Sequence, residues 1–418
     1  MKQLLVKVLS IGMIMTMATV GLCGCGDKNG MAGYAKKVEE IQLPENVKVA
    51  ALGEATHGNK EFQKLKLDVF AHLVETTRVR GFALEADFSG CAVANDYIVN
   101  NEGNAQDAVE SLGFQIYRTD EMLELIEWMH DYNKKAEEQD KVRFYGFDMQ
   151  RTMPGIARIN EFYRMTDSPK AQDFEARLEK LYGTKEYSFD VADVSDMKAL
   201  LEEIMEDMTA NEETYRNITG EEDYAYTLQA VKCLLQHAQL QTAGADYNEI
   251  RDKYMAENVE WILNREESIY GTKLMLSGHN GHVAKDVNSN YTNMGHYLSE
   301  EMQEEYFVIG TDFYQTTCNI ANEEGRGSYE FCSDDPIAQA VGELEENIYY
   351  LDFAEAADSK QLSEIINNRM KMGSLGEGYS PLMEISKSMY QIEMAPGSLY
   401  DGMIFVYEAT PIEVWETE

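Results

Sequence analysis

Short apolar runs alternate with longer amphipathic stretches along most of the chain. Seven runs rich in β-branched and aromatic residues predict strands. They are Val47–Leu52, Gly81–Leu84, Val142–Phe147, Lys273–Ser277, Tyr306–Gly310, Ile348–Leu351 and Met403–Tyr407. Between the first of these runs, apolar residues recur at helical spacing, for example from Phe62 to Val74 and from Met122 to Met129. This alternation predicts an α/β fold with a mostly parallel sheet flanked by helices.

The middle of the chain has a different pattern. Across residues 155–268 helical periodicity is sustained and no run predicts a strand, with one apolar stripe from Leu228 to Ala238. We therefore predict a helical insertion subdomain at 155–268, packed over the ligand face of an α/β catalytic core formed by 37–154 and 269–418. A pocket between a sheet edge and a helical cap is a common place for a substrate.

The first residues have the features of an export signal. A basic start precedes an apolar run from Val8 to Leu22, which is too short for a conventional spanning helix. The Leu-Cys-Gly-Cys motif that ends at Cys25 resembles a bacterial lipobox, while a plain cleaved signal or a membrane anchor is the alternative. We predict a signal peptide at 1–24, a flexible tether at 25–36, and an exported protein held at the outer face of the cell membrane through lipidated Cys25.

Charge and cysteine spacing restrict the classes of ligand. The formal net charge is −38 over 418 residues, which argues against a nucleic-acid partner because phosphate backbones require Lys and Arg. The excess acid falls mainly on amphipathic helices, where a solvated face is the plain explanation. The later cysteines show no CxxC spacing of a zinc or thioredoxin site. Cys318 and Cys332 either form a disulfide outside the cell or stay as free thiols.

Five consecutive predicted strands each end on an acid or a histidine. In chain order these residues are Glu54 and His57, then Glu85, then Asp148, then His279 and His282, and then Asp312. In an open parallel sheet, residues just past the carboxyl ends of the strands line the ligand crevice. We therefore expect acids and imidazoles from distant parts of the chain to meet in one pocket.

The first of these groups predicts a general base. A histidine with a pKa near neutrality can take a proton from water, and a carboxylate can hold its correct tautomer. We assign His57 this role, with Glu54 or Glu85 as the carboxylate. A buried cluster of titratable groups is costly unless it is used, which favours catalysis over a structural role. The Gly-x-Ser-x-Gly motif of a serine nucleophile is absent.

The remaining strand-end residues have supporting roles in this hypothesis. His279 and His282 are expected to donate hydrogen bonds to a developing oxyanion. Lys66, in the helix after the first strand, is expected to add positive charge. For Asp148 and Asp312 a structural role as helix caps is the leading interpretation.

Several of these segments, taken in order, resemble the erythromycin esterase family. They are Gly53–Gly58, Ala83–Ala86, Tyr145–Gln150, Arg251–Asp252 with Met255–Asn258, His279–Lys285, and Met294–Gly295. The resemblance runs from roughly Val47 to Gln315. Its specificity comes from the ordered combination, because each short motif alone is weak.

The resemblance implies hydrolysis of a macrolide lactone without a metal or other cofactor, with His57 as the base that activates water. The other implied catalytic residues are Glu54, Glu85, His279 and His282. The expected substrate-binding residues are Lys66, Asp148, Arg251, Asn258 and Asn280. Erythromycin-cleaving relatives carry an arginine where this chain has Lys66, and a lysine lacks the planar pair of donors. The substrate is therefore expected to be a small ester or lactone that need not be a macrolide.

Two other functions use the same residues. Glu54-x-x-His57 and His279-x-x-His282 supply oxygen and nitrogen ligands for zinc or manganese, which would give a metal-dependent hydrolase. Without catalysis, the chain would be a surface lipoprotein that captures haem or a hydrophobic small molecule, with His57 or His279 as an axial ligand.

Overall fold

The computed structural model describes residues 31–180, 194–287 and 290–416. The predicted signal peptide, Cys25 and the first part of the tether lie outside these residues. Within the described ranges, no helix has the length and apolar character needed to cross a bilayer.

The described part of the chain contains a central sheet of eight strands and a separate two-stranded hairpin. The strands are β1 Val49–Glu54, β2 Val79–Asp87, β3 Arg143–Asp148, β4 Lys273–His279, β5 Tyr306–Asn322, β6 Gly325–Cys332, β7 Ile348–Asp352, β8 Met370–Gly373, β9 Gln391–Met394 and β10 Gly402–Ala409. All seven predicted strands are present, although most extend beyond their apolar runs.

The order of strands across the central sheet is β3-β2-β4-β1-β5-β10-β7, and β6 pairs with the far half of β5. The six neighbouring strands β3, β2, β4, β1, β5 and β10 all run parallel, while β7 is antiparallel to β10 and β6 is antiparallel to β5. The predicted α/β fold with a mostly parallel sheet is therefore confirmed. The parallel strands also bring their carboxyl ends to one edge of the sheet.

Helices cover both faces of the sheet. They are α1 Lys60–Thr76, α2 Phe88–Asn100, α3 Ala105–Ser111, α4 Asp120–Asn133, α5 Met153–Met165, α6 Ala171–Glu179, α7 Val194–Ala210, α8 Glu212–Thr219, α9 Glu221–Leu240, α10 Tyr247–Arg265, α11 Asn280–Val283, α12 Met294–Met302, α13 Pro336–Val341, α14 Phe353–Ala356, α15 Lys360–Ile366 and α16 Pro396–Leu399. Phe70 of α1 and Met129 of α4 belong to the core of one face, and Val259 of α10 belongs to that of the other.

The middle of the chain is helical wherever the structure describes it. Helices α5 to α9 share a core of their own, which includes Ile159, Leu201 and Leu234. Helix α10 packs on the sheet instead, because Val259 and Ile262 join the core of that face. The boundaries of the insertion subdomain stay a prediction.

The apolar pattern missed β6, β8 and β9, and it predicted only the first part of β5. Strand β6 is mostly polar and begins at Gly325, so it carries little strand signal. In the β5–β6 register, Cys318 is opposite Tyr329 and Cys332 is opposite Gln315. Both cysteines are free thiols, as one of the two alternatives expected.

Candidate active site at the carboxyl edge of the sheet

The five strands that were predicted to end on acids or histidines are neighbours in space, in the order β3-β2-β4-β1-β5. Glu54 at the end of β1 is the register partner of His279 at the end of β4. On the other side, Asp87 at the end of β2 is opposite Asp148 of β3. The imidazoles of His57 and His279 lie with their ring centres 5.2 Å apart. Segments more than two hundred positions apart therefore meet at one edge.

The imidazole of His57 has one engaged nitrogen and one free nitrogen. Its Nδ1 is 2.6 Å from Oε1 of Glu54, and Nζ of Lys66 is 2.6 Å from the other carboxylate oxygen of Glu54. Because an ionised carboxylate only accepts, Nδ1–H of His57 is the donor. Nε2 of His57 has no hydrogen-bond partner among the residues that the structure describes. This nitrogen is available to a water molecule or a substrate.

Burial and charge act in opposite directions on this pair. Burial would raise the pKa of Glu54, but Lys66 and His57 overcome it and lower that pKa to about 2. Burial works against the charged imidazole of His57, but the carboxylates of Glu54 and Glu85 outweigh it and raise the pKa of His57 above 6.5. Glu377 acts in the same direction. His57 therefore takes up a proton more readily than a free histidine.

His279 is held as a neutral ring. The backbone N–H of Gly281 donates to its Nδ1 at 3.1 Å, and its Nε2–H donates to the carbonyl oxygen of Leu375 at 3.1 Å. Burial, followed by the imidazoles of His57 and His282, lowers the pKa of His279 to about 4. Its one N–H is already used, so the expected donation from His279 to an oxyanion does not match this geometry. His279 instead packs beside His57 and fixes its surroundings.

His282 lies between two carboxylates. Its Nδ1 is 2.8 Å from Oδ1 of Asp252, and its Nε2 is 3.3 Å from Oε1 of Glu85. Arg251 also approaches the same Nε2, with a guanidinium nitrogen 3.3 Å away. Burial disfavours the charged ring, but Glu85 and Asp252 outweigh it and raise the pKa of His282. Both nitrogens of this ring therefore have partners within the protein, including the one expected to serve an oxyanion.

Glu85 connects the separate parts of the cluster. Its carboxylate accepts the backbone N–H of His279 at 2.8 Å and a guanidinium nitrogen of Arg251 at 2.9 Å. Burial opposes its ionisation, yet His282 and Arg251 hold the pKa of Glu85 well below its ordinary value. Its carbonyl oxygen accepts the hydroxyl of Tyr117 at 3.0 Å. Removal of this carboxylate would leave the backbone N–H of His279 without a partner and would take one of two carboxylates away from both Arg251 and His282.

Arg251 brings helix α10 into the site. From helix α10 it makes a two-point contact with Asp148, at 3.2 and 2.7 Å, and Gln150 donates to the same carboxylate at 2.6 Å. Asp148 is thus an ion-pair partner at the cluster. Asp312, in contrast, accepts the backbone N–H groups of Phe313 and Gly373 and so fixes the β8 segment.

Three residues expected to bind substrate have internal partners for their polar atoms, and their role in substrate binding stays a prediction. Lys66 is completely buried, and its ammonium contacts Glu54 and Gln63. The amide of Asn258 donates to the carbonyl oxygen of Phe147 at 3.0 Å. The amide of Asn280 bonds the backbone of Thr311 through both its nitrogen and its oxygen.

Asn280 also explains the glycine at the end of β1. A Cβ on Gly53 would lie 2.1 Å from Oδ1 of Asn280, which is too close for any side chain. The sequence therefore needs glycine before Glu54, because the amide that ties β4 to β5 passes directly over this strand end.

A cavity of about 550 Å³ adjoins the cluster. Its lining residues are Gly113, Phe114, Gln115, Ile116, Arg118, Gln150 and Glu377. Gln150 connects this lining to Asp148, and Glu377 acts electrostatically on His57. Glu377 is ion-paired to Arg326 of β6. The signals for this wall were weak, because Glu377 and Arg118 lie in segments without a strand or helix pattern.

The ring nitrogens are arranged for hydrogen bonds rather than for a shared ion. No group of three or more His, Cys, Asp or Glu side chains is positioned to hold a metal within residues 31–180, 194–287 and 290–416. His279, proposed above as a metal or haem ligand, would first have to release the Leu375 carbonyl or the Gly281 N–H.

Comparisons with known proteins indicate the family of the chain. The sequence model described as Erythromycin esterase matches residues 74–409, so it extends past the predicted resemblance and begins after Glu54 and His57. Erythromycin esterase type II of Escherichia coli is 24% identical over 305 residues, which cover 64% of this chain and 70% of that protein. YbfO of Bacillus subtilis (strain 168), described only provisionally as a hydrolase, is 23% identical over 87% of this chain and 84% of that protein.

Solved structures share the fold. A Bacillus cereus protein superposes with a TM-score of 0.77 at 22% identity, covering 93% of this chain and 100% of that one. An open conformation of a histidine-to-asparagine mutant of the erythromycin esterase EreC superposes with a TM-score of 0.65 at 14% identity, covering 92% of this chain and 99% of that one. At these identities the superpositions speak for the fold alone.

Proposed function

The chain belongs to the erythromycin esterase family, whose membership suggests a hydrolase, and on that premise we propose that it hydrolyses an ester or lactone with His57 as the general base and without a metal. The observation that carries the proposal is Nε2 of His57, which has no hydrogen-bond partner among the described residues, while Glu54 engages the other ring nitrogen.

The proposed reaction uses this nitrogen twice. Nε2 of neutral His57 takes a proton from a water molecule as the water oxygen attacks the carbonyl carbon of the substrate. When the tetrahedral intermediate collapses, the carbon–oxygen bond to the leaving group breaks, and Nε2–H returns the proton to the departing alkoxide. The carboxylate of Glu54, 2.6 Å from Nδ1, stabilises the imidazolium between these steps.

The pH dependence follows from the charges. The pKa of His57 is raised above 6.5, so the ring is an imidazolium at lower pH and cannot accept a proton. Activity should therefore be lost as the pH falls through this raised pKa and should be fully present above it. A pH profile of kcat/KM for the free enzyme measures this acidic limb.

The test is a panel of aliphatic esters, lactones and one macrolide, assayed with wild-type protein and with His57→Asn. We expect the variant to lose roughly 10²–10⁴-fold in kcat/KM. The matched control is His72→Asn, because His72 bonds the Ile41 carbonyl outside the site. Hydrolysis by His57→Asn at the wild-type rate would contradict the mechanism. Loss of wild-type activity with a chelator, together with stoichiometric metal in the purified protein, would contradict the metal-free reaction.

We also propose that the protein is exported and anchored at the outer face of the cell membrane through lipidated Cys25. The support is the lipobox-like sequence alone. Cys25→Ser should abolish incorporation of a labelled fatty acid and move the protein from the membrane fraction to the soluble fraction. Unchanged labelling of Cys25→Ser would overturn this proposal.

A further inference from the structure

We propose that Arg118 binds an anionic group of the substrate, so that the preferred substrates are esters or lactones that carry a free carboxylate. This inference rests on the proposed function, because it names the substrate class of the same site. It concerns a residue that the acid–base reaction itself does not use.

The guanidinium of Arg118 lines the cavity without a partner. Its Nε is buried and makes no hydrogen bond, and the described residues provide no ion pair for this side chain. Three other arginines also have a buried, unbonded Nε, but each pairs with an acid through its terminal nitrogens. Those pairs are Arg158 with Asp223, Arg216 with Glu221, and Arg265 with Glu222. The Arg118 side chain is half-buried. Because a buried N–H without a partner is costly and the guanidinium has no counter-ion, an anionic ligand supplies what is missing.

The backbone around Arg118 is fixed to the active site. The preceding residue, Tyr117, donates its hydroxyl to the carbonyl oxygen of Glu85 at 3.0 Å. The carbonyl oxygen of Arg118 accepts the backbone N–H of Trp415 at 2.8 Å. Arg118 is therefore presented from a segment whose position is tied to the backbone of Glu85, the residue at the centre of the catalytic cluster. A ligand group held by this guanidinium keeps a defined relation to His57.

The other charge in the cavity wall is already compensated. Glu377 is ion-paired to Arg326, and the polar residues Gln115 and Gln150 are neutral. Arg118 is thus the uncompensated charge among the residues that line the cavity. A carboxylate fits the planar guanidinium with two parallel hydrogen bonds. Hydrolysis of an ester that carries a second, free carboxylate breaks the acyl carbon–oxygen bond and joins the water oxygen to the acyl carbon. One water proton goes to the alkoxide and the other is released as the new acid ionises, giving a dicarboxylate, an alcohol and a proton.

Three p-nitrophenyl esters of similar acyl length test the preference. They are the half-ester of glutarate, the neutral valerate ester, and the cationic 4-(trimethylammonio)butyrate ester. We expect wild-type protein to prefer the anionic ester. In Arg118→Gln the ratio of kcat/KM between anionic and neutral esters should fall roughly 10- to 100-fold, mainly through KM. Arg118→Lys should retain part of this ratio, and the exposed control Arg369→Gln should leave it unchanged.

Binding of glutarate separates this inference from the proposed function. Calorimetric titration should show saturable binding to wild type and to His57→Asn, and a strongly weakened signal for Arg118→Gln. If no ester is hydrolysed but glutarate binds through Arg118, the proposed hydrolysis fails and the anion site stands. If esters are hydrolysed with no anionic preference and glutarate does not bind, the inference is overturned and the hydrolase stands. Preference for the cationic ester would overturn the inference as well, because Glu377 would then direct the specificity.

Discussion

The ends of β1 and β4 carry similar groups but offer different chemistry. His57 and His282 each direct Nδ1 to a carboxylate, at 2.6 Å for Glu54 and 2.8 Å for Asp252. The difference is at Nε2, which is free in His57 but lies 3.3 Å from Glu85 in His282. An imidazole beside a carboxylate is therefore insufficient to identify a base. The ring that keeps one nitrogen without a protein partner is the one that can serve a substrate.

The largest difference in activity should come from replacing, one at a time, the carboxylates that contact these two rings by the corresponding amides. Glu54→Gln replaces the carboxylate that holds the Nδ1–H tautomer of His57 with a neutral amide that donates as well as accepts, and kcat/KM should fall by roughly 10²–10⁴-fold. Asp252→Asn makes the same change at His282 and should cost roughly tenfold or less, because neither nitrogen of that ring is available to a substrate. Steady-state kinetics on one ester, with circular dichroism as a folding control, measure both. Equal losses would abolish the distinction.

The second prediction concerns Glu85, which both regions share. Glu85→Gln removes the buried charge that Arg251 and His282 share, although each keeps one other carboxylate, and the free energy of unfolding should fall by about 3–5 kcal/mol. The control is Glu346→Gln, which removes an exposed pair with Lys37 and should change stability by less than ~1 kcal/mol. Urea denaturation followed by tryptophan fluorescence compares the variants. If the free energy of unfolding falls as little in Glu85→Gln as in the control, the Glu85 carboxylate contributes little to stability.

The third prediction sharpens the role of Lys66. Its ammonium competes with His57 for Glu54, so Lys66→Met should raise the pKa of His57 and move the acidic limb of kcat/KM to higher pH. Activity at about pH 6 relative to about pH 9 should fall roughly tenfold. Lys64→Met, on the exposed side of the same helix, is the control. A limb that stays in place, or moves to lower pH, would contradict this account.

The smallest effect is expected at His279. His279→Asn retains an amide donor for the Leu375 carbonyl, so kcat/KM should fall by roughly tenfold or less, as expected for one altered hydrogen bond. Because His279 is neutral above about pH 4, the acidic limb should still report His57. The limb is read from the same pH series. If the acidic limb of the kcat/KM profile disappears in His279→Asn, His279 rather than His57 is the general base.

Much of the frame of the site was readable in the sequence. Apolar runs predicted β1 to β5, and in a parallel sheet their carboxyl ends lie at one edge. Glu54, His57 and Glu85 could therefore be grouped from the sequence alone. The acid and the histidine of the first strand end were also recognisable as one motif, because Glu54 and His57 lie between Gly53 and Gly58. These predictions depend on short-range pattern and on a general rule of sheet topology.

The roles of individual side chains were less predictable. Whether Nε2 of a histidine is free depends on contacts from remote segments, such as the Leu375 carbonyl at His279. The same holds for Lys66, Asn258 and Asn280, whose polar atoms are consumed inside the protein. Glu377 and Arg118 had no periodic pattern around them. Hydrogen-bond partners across such sequence distances leave no trace in a local pattern.

The long strand β5 has a consequence for how this scaffold can change. Its far half pairs with β6, and this hairpin holds the Glu377 segment through the backbone of Ala321 and the side chain of Arg326. One wall of the cavity is thus carried by an outlying hairpin, while the proton-transfer groups are built into the central sheet. Insertions or deletions at the turn after Asn322 can therefore change the shape of this cavity wall, and with it the choice of substrate, without moving the proton-transfer groups. Selectivity and reactivity are thus able to evolve separately.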